Sequence, residues 1–433
     1  MRAAFFTLGC KVNQYETDVL KQLFAAAGFD IVDPADDTAD VYVINSCTVT
    51  ATGDQKSRQA LRRFRRKNPG AVLCLTGCFP QAYPDAAQRL PEADIITGTG
   101  NRHAILPAVR ARLAGGARTV DVLPHQKGQA FEKMRLQGSI ARTRAFVKIQ
   151  DGCARRCAYC IIPTARGPLR SKPLAELTQE LLELAGAGYR EVVLVGINLS
   201  CYGKDLGGTL LDALAAACAV PGIERVRLGS LEPEQLSADT IAALAALPKL
   251  CPQFHLSLQS GCDATLARMR RQYRTQDYLQ MVQNLRAAFP NCAITTDMMV
   301  GFPGEDPAEF AQSLFFAGEI EFAQMHVFAY SARPGTPAAA MCGQLPAEEK
   351  RRRSGEMTAL AQRSRDAFLR AQLGRPLRVL LETPVPGGWE GYSENYTPVR
   401  VQTTAPLRSG SIIAVYPDRI LGGHCVADYA LSL

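Results

Sequence analysis

The stretch Asp151-Gly-Cys153-Ala-Arg-Arg-Cys157-Ala-Tyr-Cys160 places three thiols in one short loop. It follows an apolar run, Ala145 to Ile149, that reads as a strand. Further strand candidates succeed it at Glu191 to Val195, Arg225 to Leu228, Gln253 to Leu258, Ala293 to Met298 and Gln324 to Phe328, with helical stretches between them. Such a series predicts a partial or complete βα barrel, whose chemistry lies at the C-terminal ends of its strands. The cysteine loop, directly after the first strand, stands at that end. A closed zinc site takes four ligands, and neither a fourth Cys nor any of the histidines (103, 125, 255, 326 and 424) lies at finger-like spacing. An iron-sulfur cube on three thiolates leaves one iron open to a substrate or cofactor.

Outward from the barrel, residues 1–113 alternate short apolar runs with amphipathic ones: Ala3 to Leu8 then Tyr15 to Ala27, Val41 to Asn45 then Gln55 to Lys67, Ala71 to Leu75 then Gln81 to Leu90. This predicts an α/β domain on a parallel sheet. Residues 114–141 carry scattered Gly and no sustained period, and read as a linker to a barrel over 142–345. A charged, helix-prone connector follows at 346–372. Residues 373–433 have short β-rich runs broken by PVPGG, SENY and RSG, which predict a small antiparallel β barrel.

At 433 residues the chain has room for two or three domains of roughly 100–200 residues. Hydrophobic residues at 47% and charged ones at 21% exclude wholesale disorder. No apolar run reaches the ~20 residues that cross a bilayer, and the opening MRAAFFTLGCKVNQ lacks a signal-peptide core, so a cytoplasmic location is expected. There the 14 cysteines stay reduced, as buried thiols or metal ligands rather than disulfides. A net charge of +8 is compatible with a polyanion partner without requiring one.

Three N-terminal cysteines each fall just past a predicted strand, in Leu8-Gly-Cys10-Lys-Val-Asn13, Asn45-Ser-Cys47-Thr-Val-Thr50 and Thr76-Gly-Cys78. Strand ends of one parallel sheet gather on one edge, where ligands of such sheets bind. A second three-thiolate site is one reading; three buried apolar thiols are the other. Cys74 lies inside a strand run and reads as core.

A CxxxCxxC run with an aromatic before its last Cys, at the head of a βα barrel, resembles the radical S-adenosylmethionine (SAM) enzymes. The resemblance implies that Cys153, Cys157 and Cys160 hold a 4Fe-4S cluster that binds and splits SAM, with Tyr159 near the adenine. Asn198, Ser230, Glu232, Gln259 and Asp297, at the ends of the second to fifth strands, look like that family's motifs around SAM. The order of LGCKVNQYET, NSCTVT, TGC, the CxxxCxxC loop and a terminal β barrel is similar to the methylthiotransferases across nearly the whole chain. That likeness implies two 4Fe-4S clusters, the second on Cys10, Cys47 and Cys78. The opening TLGCKVNQYET, followed by CIIPTARGPLRSKP, looks most like the branch that adds a methylthio group to carbon 2 of N6-threonylcarbamoyladenosine at position 37 of tRNA. The isopentenyladenosine branch usually opens with a YGCQMN-like motif and the ribosomal-protein branch with LGCPKN. Lys172 stands where the family's usual ending has Arg, which keeps the charge but not the forked donor. The implied partners are tRNA, at its anticodon loop, and a reductant such as flavodoxin or ferredoxin, with no membrane and no DNA.

His255 lies in the apolar strand QFHLSL and reads as a hydrogen-bonded core residue. The run Lys56 to Lys67 carries seven cations and no acid, either a solvated helix face or a tRNA-facing stripe. In the last domain Trp389, Tyr392, Asn395, Tyr396 and Arg400 resemble a TRAM module, with aromatics to stack on bases and cations for phosphate. The rivals to a threonylcarbamoyladenosine enzyme are the same chemistry on isopentenyladenosine tRNA or a ribosomal protein residue, and a non-catalytic metal-bearing RNA-binding protein.

Overall fold

The computed structural model describes residues 1–138 and 143–430; the expected boundary at 141/142 lies outside them. The first domain is a parallel sheet of β1 (Arg2–Thr7), β2 (Asp30–Val32), β3 (Val41–Ser46), β4 (Val72–Gly77), β5 (Ile95–Thr97) and β6 (Thr119–Asp121). Their order is β2-β1-β3-β4-β5-β6. Every residue of β3 and β4 is buried, as in a parallel strand covered on both faces, and this is why they read as unbroken apolar runs. Alternation sorts their side chains into two cores. Val41, Val43, Val72 and Cys74 pack with the helix Lys11–Ala26 and on into the barrel core. Tyr42, Ile44, Leu73 and Leu75 pack on Leu61 and Phe64 of the helix Ala51–Lys67. Strand β6 falls inside the stretch read as a linker; three residues long and poorly buried at the sheet edge, it leaves no period in the sequence.

The second domain holds β7 (Arg144–Lys148), β8 (Gln150–Asp151), β9 (Arg170–Ser171), β10 (Glu191–Val195), β11 (Arg225–Leu228), β12 (Ser230–Leu231), β13 (Gln253–Leu256), β14 (Ala293–Val300) and β15 (Gln324–Ala329). Strands β7, β10 and β11 pair in parallel, as do β12 to β15 in sequence. A Cys251 N–H to Val226 carbonyl bond of 2.9 Å joins the two halves. The expected βα barrel is therefore a partial one. Val12, from the first domain, packs on Val193 and Val195 of β10, so the N-terminal helix enters beside the strand wall.

The helix Ala347–Arg370 leads to β16 (Leu377–Val385), β17 (Gly388–Ser393), β18 (Pro398–Gln402), β19 (Ile412–Val415), β20 (Arg419–Leu421) and β21 (His424–Asp428). These form one sheet in the order β19-β16-β17-β18-β21-β20, antiparallel except for the β18–β21 pair. Tyr392 and Tyr396 stack 4.5 Å apart and turn toward the barrel, where Arg144 lies over both rings and Arg227 over Tyr396. Asn395 is buried, bonded to the Asn291 carbonyl at 3.0 Å. These three residues of the TRAM-like set thus dock the domain. Among the described residues no helix is long and apolar enough to cross a membrane.

Candidate active site between two cysteine trios

The strand order places β1, β3 and β4 side by side, so Cys10, Cys47 and Cys78 emerge as neighbours at one sheet edge. Gly9 makes the approach possible: a Cβ there would lie 3.2 Å from Cys47 Sγ, and its φ of +107° suits glycine. Asn13 laces two of the three loops, donating to the Leu8 carbonyl at 2.8 Å and the Ser46 carbonyl at 3.0 Å. Burial pushes the Cys47 thiol up to about 12. Metal ligation would reverse this, because it takes the thiolate.

The barrel trio is held by its own backbone. Cys153 N–H donates to the Gly167 carbonyl at 3.0 Å and Ala158 N–H to the Met269 carbonyl at 2.9 Å. Gly152, at φ +73°, admits no side chain, since a Cβ would stand 1.8 Å from the Pro168 carbonyl oxygen. Burial likewise lifts Cys160 to about 12. Each trio meets one buried guanidinium: Arg271 Nη1 lies 3.4 Å from Cys157 Sγ, and Arg166 Nε lies 3.2 Å from Cys78 Sγ. Burial raises the Cys78 thiol, and the Arg166 guanidinium beside it opposes that rise. Neither arginine was singled out from sequence, because each is brought to its thiol only by tertiary packing.

Of the residues expected around SAM, Asn198 and Glu232 reach the barrel loop and Tyr159 belongs to it. Asn198 Nδ2 is 3.7 Å from Cys153 Sγ, while its Oδ1 is buried without a partner. Glu232 is bonded to Arg271. Gln259 adopts a φ of +70° and also buries an unpartnered Oε1. Burial raises the Tyr159 phenol well above its ordinary range, and the ring stands edge-on to Phe302. Ser230 and Asp297 stand elsewhere, in the wall of a cavity of about 460 Å³ that also touches Cys10. All three domains line it, through Gly9 to Val12, the inner faces of the barrel strands, and Tyr396. His255, expected in the core, is hydrogen-bonded to Thr295 at 3.0 Å but also opens into this cavity, 3.4 Å from Asp297.

Buried charge locks the first two domains together. Glu16 accepts from Arg166 at 2.5 Å, Lys148 at 2.7 Å and Arg102 at 2.8 Å. Burial alone would raise its carboxyl, but these cations outweigh that and bring it down to about 2. Lys172 makes a second lock, bonded to Glu180, to Tyr15 Oη at 3.1 Å and to the Met134 carbonyl at 3.4 Å. A compact ammonium with three donors suits that corner, which accounts for Lys where the family's ending has Arg. Lys172→Met should cost about 3–5 kcal/mol, because it strands a buried carboxylate; urea unfolding measures it, and a loss under 1 kcal/mol would contradict the lock. The basic run is partly spent internally: Arg65 pairs with Asp94 at 2.6 Å and Arg63 covers the Phe6 and Phe64 rings.

Comparison with known proteins accords with this arrangement. Residues 2–98 match the family described as "Uncharacterized protein family UPF0004", and residues 147–317 match the radical SAM superfamily. The chain is 38% identical over 421 residues, 95% of its own length and 92% of the relative's, to a Bacillus subtilis protein named threonylcarbamoyladenosine tRNA methylthiotransferase. It is 37% identical, over 87% of its length and 76% of the relative's, to an Acidothermus cellulolyticus protein named tRNA-2-methylthio-N(6)-dimethylallyladenosine synthase. Among solved structures, the radical SAM methyltransferase TsrM from Kitasatospora setae superposes with a TM-score of 0.58 at 17% identity, covering 78% of this chain and 75% of that one, a likeness of fold. With both cysteine trios in place and homology running nearly end to end, the chain belongs to the radical SAM methylthiotransferase family.

Proposed function

We propose that this protein is a tRNA methylthiotransferase that adds a methylthio group to carbon 2 of N6-threonylcarbamoyladenosine at position 37, beside the anticodon. The observation that carries this is the pair of cysteine trios, each facing one buried guanidinium, with a cavity reaching Cys10 inside the barrel. Cys153, Cys157 and Cys160 would hold a 4Fe-4S cluster and, through it, SAM; Cys10, Cys47 and Cys78 would hold a second. The donor chemistry fits. Neither trio has its sulfurs all within 4.8 Å of one another, the convergence a single ion needs, whereas a multi-iron cluster stands between its ligands. The unpartnered Asn198 Oδ1 and Gln259 Oε1 are acceptors awaiting donors such as an amine or ribose hydroxyls.

When bound, these groups supply the one-electron and sulfur-transfer chemistry that an aromatic carbon–hydrogen bond requires, since no side chain removes such a proton at neutral pH. The chain's own part is positioning. Arg271 joins Cys157 to Glu232 at the barrel mouth, and Arg166 joins Cys78 to the same barrel from the other side. Val12 packs on Val193 and Val195 and so holds the helix after Cys10 against the strand wall. The adenine has to leave its stack to enter, at a cost of a few kcal/mol that phosphate contacts offset. The TRAM-like sheet and the exposed Arg62 and Arg66 are the surfaces for that grip. The enzyme would work in the cytoplasm and draw electrons from a flavodoxin or ferredoxin.

The test is nucleoside mass spectrometry of tRNA after incubation with the anaerobically reconstituted protein, SAM and a reductant. The expected product is the 2-methylthio derivative of threonylcarbamoyladenosine. Methylthiolation of isopentenyladenosine alone, or of a ribosomal protein, would assign the chain to its rivals.

A further inference from the structure

Three adjacent barrel strands each point two polar side chains inward, at alternate positions: Gln253 and His255, Thr295 and Asp297, Gln324 and His326. Register makes them converge. Ser230 pairs with His255, His255 with Thr295, and Asp297 with His326. One nitrogen of each imidazole and an Asp297 oxygen lie within 4.8 Å of one another. Opposite them, Lys11 enters the cavity from the N-terminal helix. Arg144, Arg227 and Glu191 are its charged neighbours. Among the described residues neither the Lys11 ammonium nor the His326 ring makes a hydrogen bond or a salt bridge with the protein. Glu191, the nearby acid, is taken up by Arg225 and Arg227. The cavity thus offers the Lys11 ammonium from one side and, from the barrel strands, an imidazole that can donate through its N–H next to a carboxylate acceptor, beside Cys10.

We infer that Lys11 and His326 receive the carboxylate of the threonylcarbamoyl substituent, while Asp297 accepts its hydroxyl or urea N–H. The inference rests on the function proposed above and names how the substrate is chosen. Threonylcarbamoyladenosine brings an anion and several donors to this wall. Isopentenyladenosine brings only hydrocarbon and would cover the exposed Lys11 and His326 without pairing them, and a site built to hydrogen-bond a substituent discriminates against one that cannot. A divalent ion on His255, Asp297 and His326 is the competing occupant. The adjacent ammonium disfavours it.

The experiment uses the reconstituted full chain and anticodon stem-loop RNAs differing only at the target adenosine: unmodified, isopentenylated, threonylcarbamoylated, and the last as its methyl ester. Wild type should bind the acid at least about tenfold more tightly than the ester or the unmodified loop, the scale of one charged hydrogen bond. Lys11→Gln and His326→Gln should each erase that preference, keep the affinity for the unmodified loop and keep the iron content, whereas Lys11→Arg should retain the preference. If wild type binds the ester as tightly as the acid, both more tightly than the unmodified loop, or if both Gln variants keep the preference for the acid, the receptor is overturned and the proposed function stands. If wild type prefers the isopentenylated loop, the function itself fails and the receptor with it. A stoichiometric divalent metal other than iron, lost in His326→Gln, would overturn the receptor in favour of a metal site.

Discussion

Alanine at Cys10, Cys47 and Cys78 together is expected to abolish methylthio transfer completely while leaving 5′-deoxyadenosine formation intact. Alanine at Cys153, Cys157 and Cys160 is expected to abolish both. Each triple variant should lose roughly half the iron, since each removes every thiolate of one cluster. The separation follows from how the two trios are built. The barrel loop is anchored through backbone bonds to Gly167 and Met269, inside its own domain. The N-terminal trio hangs on three strand ends and on Asn13, so its loss leaves the backbone bonds of the barrel loop in place. Anaerobic iron analysis, chromatography of SAM products and tRNA nucleoside mass spectrometry read the three quantities separately. Methylthiolated tRNA from the N-terminal triple variant would show that those cysteines are packing, and SAM cleavage by the barrel triple variant would remove the basis of the assignment.

The barrel strands were legible because each is a short apolar run between helical stretches; β10 and β11 fall at the expected residues, and β14 runs two residues longer. The cysteine trios were legible because motif spacing is local. What sequence hid is tertiary. Strand β6 is an edge pairing of three residues, with no pattern of its own. Arg166 and Arg271 look like any loop arginine until folding buries them against sulfur. His255 was read as core because its strand is apolar on the outer face; the alternate inner positions of Gln253, Thr295, Asp297, Gln324 and His326 carry the signal that marks a polar chamber. The position after Cys10 is legible in the same way in hindsight. It is Lys in this opening and Gln in the YGCQMN-like one, and it faces the cavity.

Arg166→Met is expected to weaken both the domain interface and the N-terminal trio. One buried guanidinium donates to Glu16 at 2.5 Å and 3.2 Å, to Asn13 Oδ1 at 2.5 Å and to Cys78 Sγ at 3.2 Å, and so ties the loop after Cys160 to the helix after Cys10. Removing it leaves Glu16 with Arg102 and Lys148, so the loss belongs at the low end of the range for breaking a buried pair, about 3 kcal/mol. The Cys78 thiolate loses its cation as well, so the reconstituted variant should hold close to half the wild-type iron. Acid sensitivity gives an independent reading. The Glu16 carboxyl is lowered from an ordinary 4.5 to about 2, so its contribution is complete above about pH 4.5 and is lost as pH falls toward 2. With Arg166 gone the native value rises toward the unfolded one, the contribution shrinks, and acid unfolding should begin at higher pH. Arg166→Lys should restore part of the stability but not the fork that reaches Asn13 and Cys78 together. Unchanged urea stability, iron content and acid midpoint in Arg166→Met would mean that Arg102 and Lys148 carry the interface alone.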